Sequence, residues 1–399
     1  MAMYSKVFIP YGAYYSSPFA RWQGSLQNEH SIILGAATAK RWMAAKNIDV
    51  KKYQYLVLGE TVGQPYQFYA APWAASLLEA YDISAVHCPQ ACSTSTTCMN
   101  AAAAGIETGL YDRAFCLMTD KLSNAPHTVW PNPKGPGGEV ISENWAMDMF
   151  NRDPYGEVPM VQTAENVINR AGGITKQDCD DVTFRRYEQY QASMANDRAF
   201  QKRYMFPIEL SKGKGKTFLL EEDEGLTPIT KEGLAKLKPV IPGGALSFGT
   251  QTHPADGNSG VTLCTEENVK EFSTDNNIKV QLLSYGFGRA AKACMAEAIV
   301  PAALMALDKA GLGVKDMKVI NNHNPFVAND LYLCNTLKID VMDINNYGCS
   351  LIYGHPQAPT AGRMIFEMIE ELVIKGGGYG LFTGCAAGDT GAAIVLKVS

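Results

Sequence analysis

A cysteine in a hydroxyl-rich turn is the residue of this sequence best suited to nucleophilic chemistry. Cys92 lies in the segment 90–97 (QACSTSTT), after the apolar run 83–87 and before a small-residue-rich stretch typical of a helix. The free N–H groups and the dipole of a helix N-terminus favour a thiolate, so this pattern predicts a lowered pKa for Cys92. The alternative is a buried structural thiol beside ordinary helix-capping hydroxyls.

Two histidines in the C-terminal third of the chain are candidates to assist such a thiol. His355 lies between glycine and proline in 353–356 (YGHP), a rigid turn that the preceding apolar run is expected to place at the end of a strand. A positioned imidazole is the commonest base for activating a thiol. His323 lies in 321–326 (NNHNPF), where polar side chains after a buried strand need hydrogen-bond partners or a function. The alternatives are an ordinary surface turn for His355 and a structural network around His323.

A second cysteine, Cys385, lies in the segment 384–391 (GCAAGDTG) between two strand-like runs. Small residues around a cysteine allow backbone N–H groups to approach a ligand closely, as an oxyanion hole requires. The alternative is a glycine-rich hairpin that contains a buried thiol. None of these segments is diagnostic by itself.

The composition excludes several classes of function. The chain has 399 residues, of which 46% are hydrophobic and 19% charged, enough for two core-forming units. A net charge of −5 without a basic stripe argues against a nucleic-acid partner. The apolar runs are too short for a membrane span, and the N-terminus does not resemble a signal peptide. Ten cysteines without a CxxC pair or a local His/Cys cluster predict a reduced cytoplasmic protein with mostly structural thiols and no metal site.

The pattern of apolar runs divides the chain into three regions. Residues 1–120 and 251–399 alternate strand-like runs with helix-like stretches, which is typical of a layered α/β domain. Residues 121–250 contain a proline- and glycine-rich segment, two polar helices, a Lys/Gly run and an acidic run, and they predict an excursion on the surface of the core. The similar patterns of the two outer regions predict a duplicated fold.

Taken in their order along the chain, these segments resemble the motifs of the thiolase family. Segment 92–126 is similar to the thiolase nucleophile segment, including its Ser-Asn-Ala-Pro, and 354–356 matches the Gly-His-Pro motif. Segment 384–393 resembles the C-terminal Cys-x-Gly segment, although alanine replaces its glycine. Segments 164–190 and 226–241 are similar to the loop domain and to the segment that follows it. The resemblance covers nearly the whole chain.

The resemblance implies an α/β thiolase fold, with two similar βαβαβαββ halves in a five-layered αβαβα arrangement and an inserted loop domain. The N-terminal half would comprise residues 1–120 and 251–270, the loop domain 121–250, and the C-terminal half 271–399. Thiolases are dimers or tetramers, so a homo-oligomer is expected. They use acyl-CoA and CoA as substrates and bind no cofactor.

The resemblance also implies a role for each candidate residue. Cys92 would be the acylated nucleophile, His355 the base that activates it, and Cys385 the second acid/base. The backbone N–H groups of Cys92 and Ala387 would form one oxyanion hole. Most thiolases have an asparagine where this chain has His323, but a histidine there is similar to the sterol-carrier-type thiolases. His323 would donate directly to a thioester oxygen in a second oxyanion hole. The implied reaction is Claisen cleavage or formation of a C–C bond on a 3-ketoacyl-CoA.

The acyl group and the CoA-binding residues are left open by the resemblance. The aromatic residues of 64–69 with Trp73, and those of 127–130, predict either packing in an oligomer interface or a pocket for a bulky or aromatic acyl group. The second interpretation places the chain near the benzoylsuccinyl-CoA type of thiolase, which works with a small zinc-containing OB-fold subunit. Segment 249–260 is shorter than its family counterpart and does not locate the serine that contacts pantetheine.

Two other functions remain open. Cys92, His323 and His355 also form the Cys-His-His set of a decarboxylating ketoacyl synthase, although synthases do not use a second cysteine such as Cys385 for proton transfer. The second alternative is a non-catalytic acyl-CoA or lipid-carrier subunit with a degenerate site, against which the intact cysteines and histidines argue.

Overall fold

The computed structural model describes residues 2–399 and forms two mixed β-sheets surrounded and separated by helices. The strands are β1 (Tyr14–Ser16), β2 (Ala20–Arg21), β3 (Tyr55–Gly59), β4 (Ser84–His87), β5 (Arg113–Lys121), β6 (His127–Pro131), β7 (Val140–Asn144), β8 (Ile208–Gly213), β9 (Lys216–Leu220), β10 (Ala255–Cys264), β11 (Val280–Arg289), β12 (Met317–His323), β13 (Gly378–Ala386) and β14 (Thr390–Val398). The helices are α1 (Ser31–Ala45), α2 (Ala70–Leu77), α3 (Thr94–Glu107), α4 (Met147–Asn151), α5 (Met160–Ala171), α6 (Lys176–Ser193), α7 (Ala195–Arg198), α8 (Lys231–Lys236), α9 (Ile299–Ala310), α10 (Val327–Leu337), α11 (Ser350–Tyr353) and α12 (Thr360–Ile374).

The two main sheets share one pairing pattern. The first has the order β1-β10-β5-β3-β4, in which β3 is parallel to β4 and β5, while β10 is antiparallel to β5 and β1. The second has the order β11-β14-β13-β12, in which the parallel pair of β12 and β13 is followed by two antiparallel pairs, as the parallel pair of β3 and β5 is in the first sheet. This repetition agrees with the predicted duplication of the fold.

Five layers follow from the packing of the helices. Helices α1 and α2 pack on the outer face of the first sheet, and α9 packs on the outer face of the second. Helices α3 and α12 lie between the sheets and contact strands of both. Helix α12 is buried on nearly all sides, as a helix enclosed by two sheets must be. Because α3 and α12 occupy corresponding places in the two halves, the loops that precede them lie close together.

The region 121–250 attaches to this core through buried ion pairs. Arg363 of α12 binds Asp223 with two parallel bonds of 2.7 and 2.8 Å. Arg186 of α6 donates to Asp330 of α10 at 2.8 Å, and all four of these side chains are fully buried. Buried charges persist only when they are paired and hydrogen-bonded, so these contacts hold the inserted region in one place. The proposed limits of the three domains stay a prediction.

The apolar run 83–87 forms strand β4, which lies at the edge of the first sheet and is mostly half-buried, because it has a neighbour on one side only. The ten cysteines are all free thiols, and eight of them are buried, as expected for structural thiols. Among the described residues, no helix has the length and apolarity needed to cross a membrane.

Candidate active site

Cys92 lies in a strained turn at the start of α3. A 3₁₀ turn, Ala91–Ser93, leads directly into the helix, and Ala91 has the positive φ of 44°. The hydroxyl of Thr94 donates to the Ala91 carbonyl at 2.7 Å and accepts from the Gln90 N–H group at 2.8 Å. These bonds close the turn and direct the Cys92 side chain into a cavity. Positive φ is uncommon for non-glycine residues and is often retained at functional sites.

The structure brings both predicted histidines to Cys92. The sulfur of Cys92 and one ring nitrogen of each of His323 and His355 lie within 4.8 Å of one another. In His323, Nδ1 pairs with the Ser350 hydroxyl at 2.7 Å, and in His355 it pairs with the Thr360 hydroxyl at 2.7 Å. The Nε2 atoms of both rings are buried without a hydrogen-bond partner among the described residues. Each ring is therefore fixed in orientation by the hydrogen bond at Nδ1, and its Nε2 is available for proton transfer or for a hydrogen bond to a substrate.

The loop that carries His355 differs from the prediction. The apolar run before it forms the short helix α11 rather than a strand, and Gly354 follows with φ of 92°. A side chain at Gly354 would meet the His253 ring at 2.6 Å, so only glycine fits there. The His355 N–H group then donates to the His253 carbonyl at 2.9 Å. The expected strand before His355 is therefore absent. The turn still fixes the position of His355, with support from helix α11 and from His253, which lies just before β10.

Burial determines the charge state of the resting site. Desolvation raises the pKa of Cys92 to about 12, although the nearby N–H groups of Ala387 and Cys92 lower it. The predicted lowering of this pKa is therefore wrong, because the loss of water outweighs the helix terminus and the two N–H groups. Burial lowers the pKa of His323 to about 3, and burial together with the neighbouring His323 lowers the pKa of His355 well below its usual value. The resting site holds a neutral thiol and two neutral imidazoles.

Cys385 lies directly behind the nucleophile on β13. It is fully buried, its carbonyl accepts from the Ser93 hydroxyl at 3.5 Å, and its sulfur accepts from the Asn329 amide at 3.2 Å. Burial raises the pKa of the Cys385 thiol, with the nearby Cys92 as the next cause. The cavity wall includes Cys92, His355 and Ala387 but neither Cys385 nor His323, so these two side chains lie behind the wall.

Four polar residues of the site were missed by the sequence analysis. They are Ser350 and Thr360, which hold the two imidazoles, Asn329, which donates to Cys385, and Gln357, whose Oε1 accepts from the Cys92 thiol at 3.1 Å. Three of them lie on helices or helix ends, where serine, threonine and asparagine are common for local reasons. For Gln357 the only signal was its place two residues after His355.

A cavity of about 1260 Å³ opens in front of Cys92. Its wall is largely apolar and includes the aromatic residues Trp145, Phe150, Phe248 and Phe326. None of these belongs to the aromatic stretches 64–69 and 127–130, and neither those stretches nor Trp73 reach the wall. The prediction that they line the acyl pocket is therefore wrong: Phe68 is completely exposed and Tyr66 is 81% exposed. Thr252 and His253 of segment 249–260 do line the cavity.

The cluster of Cys92, His323 and His355 has a donor set that zinc prefers. The sequence showed no such cluster because Cys92 lies 231 positions before His323, the two histidines are 32 positions apart, and only the fold brings the three together. Thiol and imidazole at this spacing also suit proton transfer from sulfur to nitrogen, the first step of nucleophilic catalysis by cysteine. The prediction of a metal-free site stays a prediction.

Comparison with known proteins places this site in a family. The thiolase N-terminal domain matches residues 13–267 and the thiolase C-terminal domain matches residues 276–398. Human mitochondrial 3-ketoacyl-CoA thiolase is 28% identical over 286 residues, which are 71% of this chain and 70% of the relative. A probable acetyl-CoA acetyltransferase of Mycobacterium leprae (strain TN) is 25% identical over 387 residues, which are 96% and 97% of the two chains.

Solved structures share the fold. Human mitochondrial 3-ketoacyl-CoA thiolase in complex with CoA superimposes with a TM-score of 0.89 at 24% identity, covering 100% of this chain and 99% of that one. The acetyl-CoA acetyltransferase of Bacillus anthracis superimposes with a TM-score of 0.89 at 21% identity over 100% of both chains. The predicted thiolase fold is confirmed. From its two matching domains and its architecture, the chain belongs to the thiolase family of acyltransferases.

Proposed function

We propose that this chain catalyses the reversible thiolysis of a 3-ketoacyl-CoA, with CoA as the second substrate and no bound cofactor. The observation that carries this proposal is the convergence of Cys92, His323 and His355 within 4.8 Å beside a deep cavity. Relatives named 3-ketoacyl-CoA thiolase and acetyl-CoA acetyltransferase support the same reaction class, and one solved relative binds CoA.

In the cleavage direction, Nε2 of His355 takes the proton of Cys92 while Sγ attacks the 3-keto carbon. Before the attack, Nδ1–H of His355 donates to the Thr360 hydroxyl, which leaves Nε2 unprotonated and able to accept the proton. The N–H groups of Cys92 and Ala387 already lie beside the sulfur and suit the oxyanion of the tetrahedral intermediate.

The C2–C3 bond then breaks, and its electron pair forms an enolate of the leaving acyl-CoA. Nε2–H of His323 donates to the enolate oxygen, while the Ser350 hydroxyl donates to Nδ1. Cys385 gives its proton to C2 and becomes a thiolate that the Asn329 amide stabilises. CoA next attacks the Cys92 thioester, its thiol proton passes to Cys385, and Cys92 leaves with the proton held by His355.

Acylation of Cys92 tests this proposal directly. After mixing with a 3-ketoacyl-CoA in the absence of CoA, mass spectrometry of the intact chain should show one acyl group, and peptide mapping should place it on Cys92. Cys92→Ser is expected to stay unmodified. Failure of every acyl-CoA to label Cys92 would instead favour a non-catalytic carrier of acyl-CoA or lipid.

A decarboxylating ketoacyl synthase is the second candidate, because Cys92, His323 and His355 form the set such enzymes use. The buried bond between Asn329 and Cys385 favours the thiolase reaction, in which the second thiol transfers a proton. Cys385→Ala separates the two. A malonyl-dependent condensation that survives this change would identify a synthase, whereas loss of both condensation and thiolysis supports a thiolase.

The acyl group is proposed to be bulky or aromatic. The support is the cavity of about 1260 Å³ with four aromatic side chains in its wall, more space than an acetoacetyl group fills. Ala146 lines this cavity and is 6% exposed, so Ala146→Leu should reduce thiolysis of aryl 3-ketoacyl-CoA esters more than that of acetoacetyl-CoA. Ala104→Leu, on an exposed position of α3, is the control. Equal effects of Ala146→Leu on both substrates would contradict the proposal.

The chain is further proposed to act as a cytoplasmic homodimer or homotetramer. The half-buried edge strand β4 and the exposed Tyr66, Phe68 and Tyr69 are features that an interface would cover. Analytical ultracentrifugation tests the oligomeric state, and cell fractionation tests the location. A small zinc-containing OB-fold partner is tested by comparing aryl-substrate turnover with and without the products of neighbouring genes.

A further inference from the structure

Gln357 contacts the nucleophile although none of the assigned roles involves it. Its Oε1 accepts a hydrogen bond from the Cys92 thiol at 3.1 Å. The residue is 7% exposed and lines the cavity two positions after His355. Its carboxamide also raises the pKa of His355, against the larger effect of burial. One oxygen is thus within reach of both partners in the first proton transfer.

The backbone at Gln357 has a conformation that disfavours a side chain. Its φ of 70° lies in the left-handed region, where glycine is the usual residue. Neighbouring bonds hold it there: Asp120 accepts from the Ala358 N–H group at 2.8 Å, and the Gln357 carbonyl accepts from the Thr360 N–H group at 3.2 Å. An observed outlier of this kind, over-determined by its surroundings, indicates a function for the side chain.

The first proton transfer creates a buried imidazolium, which needs a hydrogen-bond acceptor such as the Gln357 oxygen. The neutral pair of Cys92 and His355 must become a thiolate and an imidazolium in a buried place where charges are costly. The N–H groups of Ala387 and Cys92 serve the sulfur. The imidazolium has no acidic partner, because Nδ1 of His355 meets the Thr360 hydroxyl and Nε2 has no partner among residues 2–399. Gln357 is the residue placed to provide a neutral hydrogen-bond acceptor near Nε2.

We propose that Gln357 is a further catalytic residue whose Oε1 accepts a hydrogen bond from Cys92 Sγ–H in the resting enzyme and from His355 Nε2–H after the proton has moved. The proton passes from Sγ to Nε2, no covalent bond to Gln357 forms, and the carboxamide keeps its own two protons. Because a hydrogen bond to a charged group is stronger than one from a thiol, the acceptor favours the ion pair over the neutral pair. The inference rests on the proposed role of Cys92 as nucleophile.

The test is the pH dependence of alkylation of Cys92 by iodoacetamide, followed by peptide mass spectrometry. Gln357→Met removes the acceptor at similar size and is expected to slow alkylation at neutral pH about 10-fold, which moves the profile by about one pH unit. The rate of single-turnover acylation of Cys92 by acyl-CoA should fall by a similar factor, with little change in the steady-state KM. Gln251→Met changes a glutamine of the same cavity wall and should leave the alkylation profile unmoved.

Gln357→Gly is the second variant, because glycine adopts the left-handed backbone freely and the fold should persist even if Gln357→Met unfolds. It should show the same shifted profile at an unfolding temperature close to that of the unchanged chain. A profile that coincides with the unchanged chain in either folded variant, or an effect confined to KM, would overturn the inference. If Cys92 alkylates normally but no acyl-CoA labels it, the proposed function has failed, while a shifted profile still supports Gln357 as the acceptor.

Discussion

The imidazole rings of His323 and His355 lie with their centroids 4.3 Å apart at an interplanar angle of 47°. Both are fully enclosed, so a proton on one ring makes a proton on the other still less favourable. This relationship suits a site in which one ring accepts a proton while the other donates a hydrogen bond from a neutral state. It also determines how the thiol between them should respond to pH.

Alkylation of Cys92 should increase steadily with pH. Because burial raises the pKa of this thiol to about 12, the reactive thiolate is a minor species at neutral pH, and its fraction grows roughly tenfold per pH unit below the pKa. We expect the rate of iodoacetamide labelling of the Cys92 peptide to follow this slope between pH 6 and pH 8. A rate that stays level over this range would show a preformed thiolate–imidazolium pair and would contradict the expected charge state.

Replacing His323 by alanine should slow thiolysis on the order of 100-fold, the usual cost of one lost oxyanion donor. The Nδ1 bond to Ser350 and the free Nε2 hold the ring ready to donate to a thioester oxygen, and alanine removes that donor. Steady-state kinetics with a 3-ketoacyl-CoA measure the effect, and His127→Ala, at an exposed position of β6, is the control. Near-normal activity of His323→Ala would remove His323 from the mechanism.

The parts of this site that the sequence predicted are those with a local signature. Cys92 stood out because it lies in a turn before a helix, His355 because glycine and proline flank it in a rigid turn, and Cys385 because small residues surround it. Their convergence follows from the duplicated fold, which places the starts of α3 and α12 side by side. The local patterns alone do not predict this convergence, which follows only when the family resemblance is added to them.

The parts that the sequence did not predict depend on distant packing. The pKa of Cys92 follows from desolvation by both halves of the chain, which no local pattern records. The exposed Phe68 and the cavity-lining Phe326 are the same residue type, and only the fold separates a surface ring from a pocket wall. Asn329 lies on α10, and its hydrogen-bond partner Cys385 lies on a strand 56 positions later in the chain.

Asn329→Leu should impair the proton transfers through Cys385 while it spares the reactivity of the Cys92 thiol. The Asn329 amide donates to Cys385 at 3.2 Å and stabilises the thiolate that remains after Cys385 gives its proton to carbon. Loss of one hydrogen bond to a charged group costs about 1.5–3 kcal/mol, or roughly 10-fold or more in rate. Exchange of the α-hydrogens of acetyl-CoA in deuterated water, followed by NMR, should slow accordingly.

Alkylation of Cys92 by iodoacetamide is the internal control for Asn329→Leu, because that reaction does not use Cys385. If alkylation and α-hydrogen exchange slow together, Asn329 acts through the general structure of the site rather than through Cys385. Cys385→Ala should abolish the exchange, and the rate that remains is the background for the Asn329→Leu measurement.

Asp330→Ala should be among the most destabilising single changes in this chain. Asp330 is fully buried and accepts from Arg186 at 2.8 Å and from the amides of Asn322 and Asn324 at 2.7 Å each. Its removal leaves the Arg186 guanidinium buried without a counter-charge, which typically costs about 3–5 kcal/mol of unfolding free energy. The urea midpoint of unfolding measures the loss at a fixed protein concentration.

The exposed pair of Lys202 and Asp197 is the matched control for Asp330→Ala, since exposed ion pairs contribute little to stability. Lys202→Ala, which removes the same exposed pair, should leave the urea midpoint unchanged. Because Asn322 and Asn324 flank His323, the folded fraction of Asp330→Ala should also lose thiolysis activity. An Asp330→Ala chain with the midpoint of the control would mean that water reaches Arg186, and the buried pair would then not be what holds α6 against α10.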